Sequence, residues 1–350
     1  MIFLLLGIVL LFLVLRDVFQ TVVVPRGTVT GFHIATPLVR SVLWPPFRYL
    51  TSKVKSPVWK AELLGWFGPF VILLLLTVWM SLLILAFSML FYSVATEYSP
   101  ALDSFISAIY VAGSSVLTLG VSDFSTTSIK VRALILISAF IGMILTASVI
   151  SLLFTLIAAL QRREVLASLT SNVGGTPPAG IAILETYVSL NGRESLDSFY
   201  DDWHHWCADV FETYKAYPIL PYFRSTDPYS SWLTALGAVL DSTALLLSVN
   251  PQTNCVQVTL TYRFGCRLID ELVHHWDLKL EQTAASSGNE FSGLYQRLNS
   301  AGCCSVDEGT AQEKFNQLRQ AYTAKHQALC KHLLLPPAPL SVEQRMSLTL

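Results

Sequence analysis

This sequence has little charge. Asp, Glu, Lys and Arg make up 13% of its 350 residues, against 53% hydrophobic residues, and they nearly cancel to a formal net charge of -1. That balance gives no basic face for nucleic acid and no acidic or basic tail. A nucleotide fingerprint is also missing. Gly174-Gly175-Thr176-Pro177-Pro178 is a linker signal, not the G-x-G-x-x-G turn between strand and helix that cradles a phosphate. No Ser-His-Asp or metal-hydrolase spacing is visible, so the chain is read as no enzyme and no cofactor is expected. No apolar run carries Arg or Lys at every third position, which excludes a voltage sensor.

The cysteines form no framework. Cys207, Cys255, Cys266, Cys303, Cys304 and Cys330 all lie in the second half, at no spacing that suggests disulfides, so reduced thiols in a reducing compartment are expected. His204-His205-Trp206-Cys207, His274-His275-Trp276-Asp277, Cys303-Cys304 and His326 with Cys330 and His332 supply zinc-type ligands. They lack the paired spacing of a structural zinc site, and adjacent histidines point apart on a helix, so no metal is expected.

What the chain has in quantity is long apolar runs, and its mean hydropathy is +0.52. Three runs occupy the first 160 residues, followed by an ordinary mixture whose periodicity is helical in Ser195 to Tyr214, Ser231 to Ser248, Val256 to Leu280 and Ala311 to Leu334. The fold class expected is an all-α membrane protein with three transmembrane helices, a re-entrant pore helix and filter loop, and a mostly helical cytoplasmic domain.

The first span is 1–24, with no positive leader or small-x-small site that would make it a signal peptide. Its Arg16 and Asp17 are costly in lipid and call for interfacial depth or an ion pair between spans. Residues 25–62 form a basic loop, with Arg26, Arg40, Arg48, Lys53, Lys55 and Lys60 against Glu62, interleaved with Trp44, Phe47, Tyr49 and Trp59. Such a segment suits the cytoplasmic membrane surface. The outer helix is 63–94; after it Glu97, Asp103 and Asp123 face only Lys130 as a base. The inner helix, 131–160, ends at Gln161-Arg162-Arg163. Under the positive-inside rule the N-terminus is therefore outside and the C-terminal domain cytoplasmic. A linker at 164–180, a helical domain at 181–335 and a flexible tail at 336–350 complete the expected layout.

Between outer and inner helix lies LDSFISAIYVAGSSV, at 102–116, apolar enough to enter a membrane and too short to cross it, followed by Thr118-Leu119-Gly120-Val121-Ser122-Asp123. Non-helical backbone at membrane depth is tolerated only inside protein or beside a water-filled cavity. This stretch, within 63–163, resembles the pore-loop potassium-channel superfamily, whose filter pattern is Thr-Val-Gly-Tyr-Gly-Asp. Ala108-Ile109-Tyr110 is similar to the start of that family's pore helix, Arg132 to the basic residue at the head of its inner helix, and Gly142 to its hinge glycine. A looser resemblance to a bacterial channel-like subgroup reaches to about residue 250. It rests on Asp17-Val18-Phe19-Gln20-Thr21 with Pro25, Leu145-Thr146-Ala147-Ser148, Arg162-Arg163 and the segment Tyr217 to Ser225.

The resemblance implies a homotetramer in the inner membrane, each chain supplying a quarter of a ring of carbonyls from Thr118, Leu119, Gly120 and Val121. The Thr118 hydroxyl would be the innermost ligand, Ser122 and Asp123 would complete the filter, and Gly142 would be the gating hinge. The partners expected are potassium or other monovalent cations, the lipid bilayer and three further copies, with no nucleic acid. Two positions depart from the pattern: Val121 stands for the aromatic residue and Ser122 for the second glycine, where positive φ is used. They leave open weakly selective cation passage, or a non-conducting membrane-anchored signalling or scaffold protein.

Overall fold

An apolar segment taken out of water has only its own backbone to bond to, and a helix satisfies every N–H and C=O within one segment. The computed structural model describes residues 1–23, 37–54, 56–120, 123–190, 192–225, 230–251, 256–280 and 288–341, and these are helices joined by turns. Among the described residues there is no strand, only an isolated antiparallel bridge between Ser99 and Ser125. The chain divides into two compact units, Met1–Ala158 with Lys215–Phe223, and Ala159–Tyr214 with Arg224–Leu350.

Unit 1 begins with α1, Ile2–Val18, which continues into a π-helical turn, Phe19–Val23. A second such turn, Leu38–Leu43, runs into α2, Trp44–Ser52. Helix α3 spans Pro57–Tyr92 and starts on a proline, which loses nothing at a position whose N–H has no partner in the helix. Helix α4 is Phe105–Val116 and α5 is Ile129–Gly174. Helices α1, α3 and α5 are each long and apolar enough to cross a membrane. At about 1.5 Å per residue, the 36 residues of α3 and 46 of α5 reach about 54 and 69 Å, well beyond a hydrocarbon core of about 30 Å.

Each long helix buries one stripe. On α3 it runs through Phe67, Val71, Leu75, Trp79, Leu83 and Ala86; on α5 it runs through Ser138, Gly142, Leu145, Val149, Leu152 and Leu156. These steps of three and four residues keep to one helical face. Contacts between apolar helices in a bilayer depend on close packing and hydrogen bonds, not on the hydrophobic effect, so small residues belong at the crossings. Gly7 of α1 meets α3 at Ala86 and Leu90, and α4 buries Ala108 and Ala112. Asp17 is buried and accepts a 2.7 Å hydrogen bond from the Trp79 indole, tying α1 to α3.

In unit 2, α8, Trp232–Val249, is buried almost all round and packs against α6, Gly180–Ser189, α9, Val256–Trp276, α11, Glu308–Gln320, and α12, Thr323–Leu333. Helices α7, Arg193–Ala216, and α10, Gly288–Ser300, complete it. The start of α8 is set by Ser231, whose hydroxyl accepts from the Thr234 N–H, and that of α11 by Asp307, which caps Thr310 in the same way. By composition α8 could also cross a membrane; its enclosure by four helices makes it the core of unit 2.

Several boundaries differ from those expected. The inner helix does not stop at 160, and most of the expected linker at 164–180 is its continuation to Gly174. Arg163 is no terminator because it is buried: its guanidinium meets Glu164 at 2.8 Å and lies 5.1 Å from the Trp232 ring centre, while its carbonyl accepts from the Trp206 indole at 3.0 Å. From Ala159 this helix belongs to unit 2. Within the expected basic loop, 38–52 is helical and α3 begins at Pro57. Arg26 and Lys55 lie outside the described residues. The pore helix starts at 105 instead of 102, because Ser104 caps it. The stretch expected as one helix from Ala311 to Leu334 breaks between Gln320 and Thr323. The start of the expected flexible tail is packed, with Leu340 buried and the Pro336 carbonyl accepting from Thr234 at 2.7 Å; residues 342–350 lie outside the description.

Candidate functional site

The loop that resembles a filter starts from the end of α4. Ser104 accepts from the Ser107 N–H at its start, and the Asp103 carboxylate accepts from the Ser107 hydroxyl at 2.7 Å, which holds the Asp103 carboxyl below the usual carboxylate range. At its other end the Leu117 N–H still bonds to Gly113, the Thr118 N–H bonds to Ser115 at 3.0 Å and the Leu119 N–H bonds to Ser114 at 2.8 Å. This paired closure, with a left-handed residue at its centre, is a Schellman termination. Glycine usually takes that place; here it is Thr118, at φ 54°. A branched side chain in that region costs about 1–2 kcal/mol, and such strain collects at functional loops. Gly120 follows at φ 69°.

Residues 117–120 are exposed within the single chain. Among the described residues no donor meets the carbonyl oxygens of Thr118, Leu119 or Gly120. Three successive carbonyls at the mouth of a short helix can replace the water of a cation. Val121 and Ser122 lie outside the described residues, and Asp123 beyond them is exposed.

After the loop the chain is fastened to the segment ahead of α4. Ser99 and Ser125 exchange backbone bonds of 2.7 and 2.9 Å, Thr126 donates to the Glu97 carbonyl at 2.8 Å, and the Ser128 hydroxyl donates to the Glu97 carboxylate. Arg132, expected at the head of the inner helix, donates through Nε to the Thr126 carbonyl at 3.0 Å. Burial raises the Tyr98 phenol above its ordinary value beside Phe91.

Helix α5 meets α4 where the loop leaves it. The Ser115 hydroxyl lies 2.6 Å from that of Ser138 and 3.1 Å from the Ile135 carbonyl. One turn on, a Cβ on Gly142 would stand 2.0 Å from the Val116 carbonyl oxygen, so only glycine fits. Gly142 lies inside an unbroken α5, and its carbonyl accepts from Thr146 at 3.0 Å. The structure therefore brings Gly142 to the end of α4 from which Thr118 to Gly120 leave, while Arg132 is held at Thr126. Sequence reasoning passed over Ser115 and Ser138. The available signal was a serine in the middle of an apolar span, which needs a partner within the protein.

The histidines and cysteines of unit 2 do not converge. His204 lies against Phe264 and His275 against Tyr214, while His332 faces Trp276. His326 bonds to the Leu233 carbonyl at 2.8 Å, with Cys330 at 3.7 Å. Among the described residues no group of three His, Cys, Asp or Glu is placed to hold a metal. Cys255 lies outside them. Burial pushes the Cys266 thiol up to about 11 and raises Cys207 and Cys330 further, which opposes thiolate chemistry.

Compared with known proteins, the chain matches no family model, no curated protein and no solved structure.

Proposed function

We propose that the protein is a cation channel of the cytoplasmic membrane, built from four copies and passing potassium or another monovalent cation. In this reading α1, α3 and α5 cross the bilayer, α4 enters it from the outer side, and unit 2 lies in the cytoplasm. The observation that carries the reading is the end of α4. A helix of 12 residues, about 18 Å long and too short to span, ends in a capped turn that leaves Thr118, Leu119 and Gly120 exposed, their carbonyls meeting no donor among the described residues. It sits in sequence between two helices long enough to cross. Charge supports the sidedness: Arg48, Lys53 and Lys60 precede α3 or open it, whereas Glu97, Asp103 and Asp123 flank the loop. A cation reaching the loop exchanges water for carbonyl oxygens, and four chains close the ring.

Recording the purified protein in bilayers under opposed potassium and sodium gradients tests this. The expected result is a cation current with a reversal potential toward the potassium limit. Intact tetramers that carry no cation current defeat the reading. The Thr118 and Leu119 N–H groups, already closed onto α4, favour a second reading, a non-conducting scaffold with the same architecture. That reading predicts no current in the natural chain and a current once Val121→Tyr and Ser122→Gly are combined.

A further inference from the structure

The proposed filter lacks the aromatic residue that would brace it from behind, since Val121 stands in that place. Something else has to fix a loop whose first residue is strained. The contacts of α4 with α5 supply a candidate. Ser115 is the residue whose carbonyl accepts the Thr118 N–H, so its backbone forms half of the closure from which the loop starts. Its side chain points the other way, to the Ser138 hydroxyl at 2.6 Å and the Ile135 carbonyl at 3.1 Å. Ser138 is fully buried and also donates to the Ile135 carbonyl at 2.8 Å. The next residue, Val116, rests its carbonyl in the notch at Gly142, where an added Cβ would lie 2.0 Å from the oxygen and 2.9 Å from the carbon.

We infer that Ser138 and Gly142 of the inner helix are positioning residues that set the geometry of the Thr118–Gly120 loop through Ser115 and Val116, and so determine which cations it discriminates. The inference rests on the channel reading for its link to ions, but the positioning itself does not. It assigns Gly142 a seat for a carbonyl, not a bending point. A serine pair in place of an aromatic cuff holds the loop through the end of α4 and not at the filter itself, which suits a filter of modest selectivity. Movement of α5 reaches the loop directly by the same contacts.

The test uses the full-length protein in bilayers. Ser115→Ala, Ser138→Ala, Ser115→Thr and Gly142→Ala are each recorded under opposed potassium and sodium gradients. Each is also made together with Leu119→Cys, and labelling of that cysteine by a membrane-impermeant thiol reagent is followed at its own peptide by mass spectrometry. Both alanine variants are expected to move the reversal potential toward zero selectivity and to speed labelling several-fold. Ser115→Thr, which keeps the hydroxyl, is expected to behave as the natural chain, and Gly142→Ala to alter both readouts at least as much as the serine changes. Unchanged reversal potential and unchanged labelling in folded Ser115→Ala and Ser138→Ala protein overturn the inference. So does a Gly142→Ala variant that alters open probability alone, the signature of a hinge. If Ser138→Ala fails to purify as a folded species, Ser115→Ala, at a half-buried position, decides. A natural chain without current defeats the channel reading by itself, and the labelling rates still decide the brace.

Discussion

Helices α5 and α8 are both long and apolar enough to cross a membrane, yet protein covers them to very different extents. On the part of α5 that belongs to unit 1, Leu136, Phe140 and Phe154 are exposed, Thr146 and Thr155 return their hydroxyls to carbonyls of the same helix, and Ser138 reaches a neighbour. On α8 nearly every side chain is buried; Ser242, Thr243 and Ser248 also return their hydroxyls to carbonyls of the helix, but other polar contacts reach far along the chain. Asp241 takes Arg319 at 3.1 Å and Tyr322 at 2.5 Å, and Ser242 accepts from Tyr200 at 3.0 Å. The difference shows that hydropathy does not separate a span from a core. What separates them is whether protein covers the apolar surface, and whether buried polar groups are answered by other helices.

The sharpest way to break the comparison is to strike the α8 network. Asp241→Ala leaves the largely buried Arg319 without its carboxylate and Tyr322 without its acceptor. Burial opposes the Arg319 charge, but Asp241 with Tyr322 more than offsets it and holds the guanidinium above its ordinary value. Removing one member of a buried pair costs about 3–5 kcal/mol, so unit 2 is expected to lose cooperative unfolding at ordinary temperature in a denaturant titration. The same titration on Ser138→Ala is expected to move little. Equal losses in both would erase the distinction drawn between the two helices.

A smaller effect is expected where unit 1 uses glycine. Gly65 and Gly68 sit on the same helix, but a Cβ on Gly65 meets nothing within 4 Å, whereas one on Gly68 would stand 2.8 Å from the Phe223 ring. That ring ends the Lys215–Phe223 segment, whose Tyr222 stacks with Trp44 and Phe67 at 4.9 and 5.7 Å. Gly65→Ala is expected to stabilise by up to about 1 kcal/mol through helix propensity. Gly68→Leu is expected to lose about 1–3 kcal/mol by overpacking, and to make the chain near Phe223 easier to cleave in limited proteolysis. Equal behaviour of the two variants would show that the segment does not rest on α3.

His326 gives unit 2 a pH dependence near neutrality. Burial lowers its pKa below the ordinary 6.5, with the Leu233 carbonyl pulling the other way, and Asp241, Arg319 and Cys330 are its ionisable neighbours. The folded state holds the ring neutral while the unfolded chain takes up a proton below about 6.5. Stability is therefore full above that pH and falls as pH drops below it, by at most about 1.4 kcal/mol per pH unit. Denaturant titrations from pH 8 to 5 check this, and His326→Gln, which keeps a donor for Leu233, is expected to flatten the slope. An unchanged slope in that variant assigns the effect elsewhere.

The apolar runs, the change of character near residue 160 and a short helix ending in Thr-Leu-Gly were legible in the sequence because each depends on local composition and period. The helices 180–189 and 288–300 were missed: the first is only ten residues long and the second is mostly polar. The end of α5 was misread because Arg162-Arg163 looks like a membrane stop, and only the burial of Arg163 against Trp232 shows that the helix goes on. At the candidate site the motif located the loop and Gly142, but not what Gly142 does. A glycine supplies freedom or room, and the sequence cannot say which until Val116 is placed against it.

The smallest predicted effect is also the finest test of the comparison, since it weighs one hydrogen bond in each unit. Trp79 donates to Asp17 at 2.7 Å in unit 1, and Tyr200 donates to Ser242 at 3.0 Å in unit 2; both pairs are buried. Between apolar helices in a bilayer such a bond is worth about 0.6 kcal/mol, because the separated helices find other partners in the membrane. In a protein core the net value is about 0.5–1.5 kcal/mol, and a stranded acceptor adds to the loss. Asp17→Asn keeps the acceptor and is expected to be near neutral, provided the indole stays in place. Tyr200→Phe removes little volume and is expected to cost more than Asp17→Asn in the same titration. A cost for Asp17→Asn as large as that of Tyr200→Phe would mean that the carboxylate charge, not the indole bond, is what α1 brings to α3.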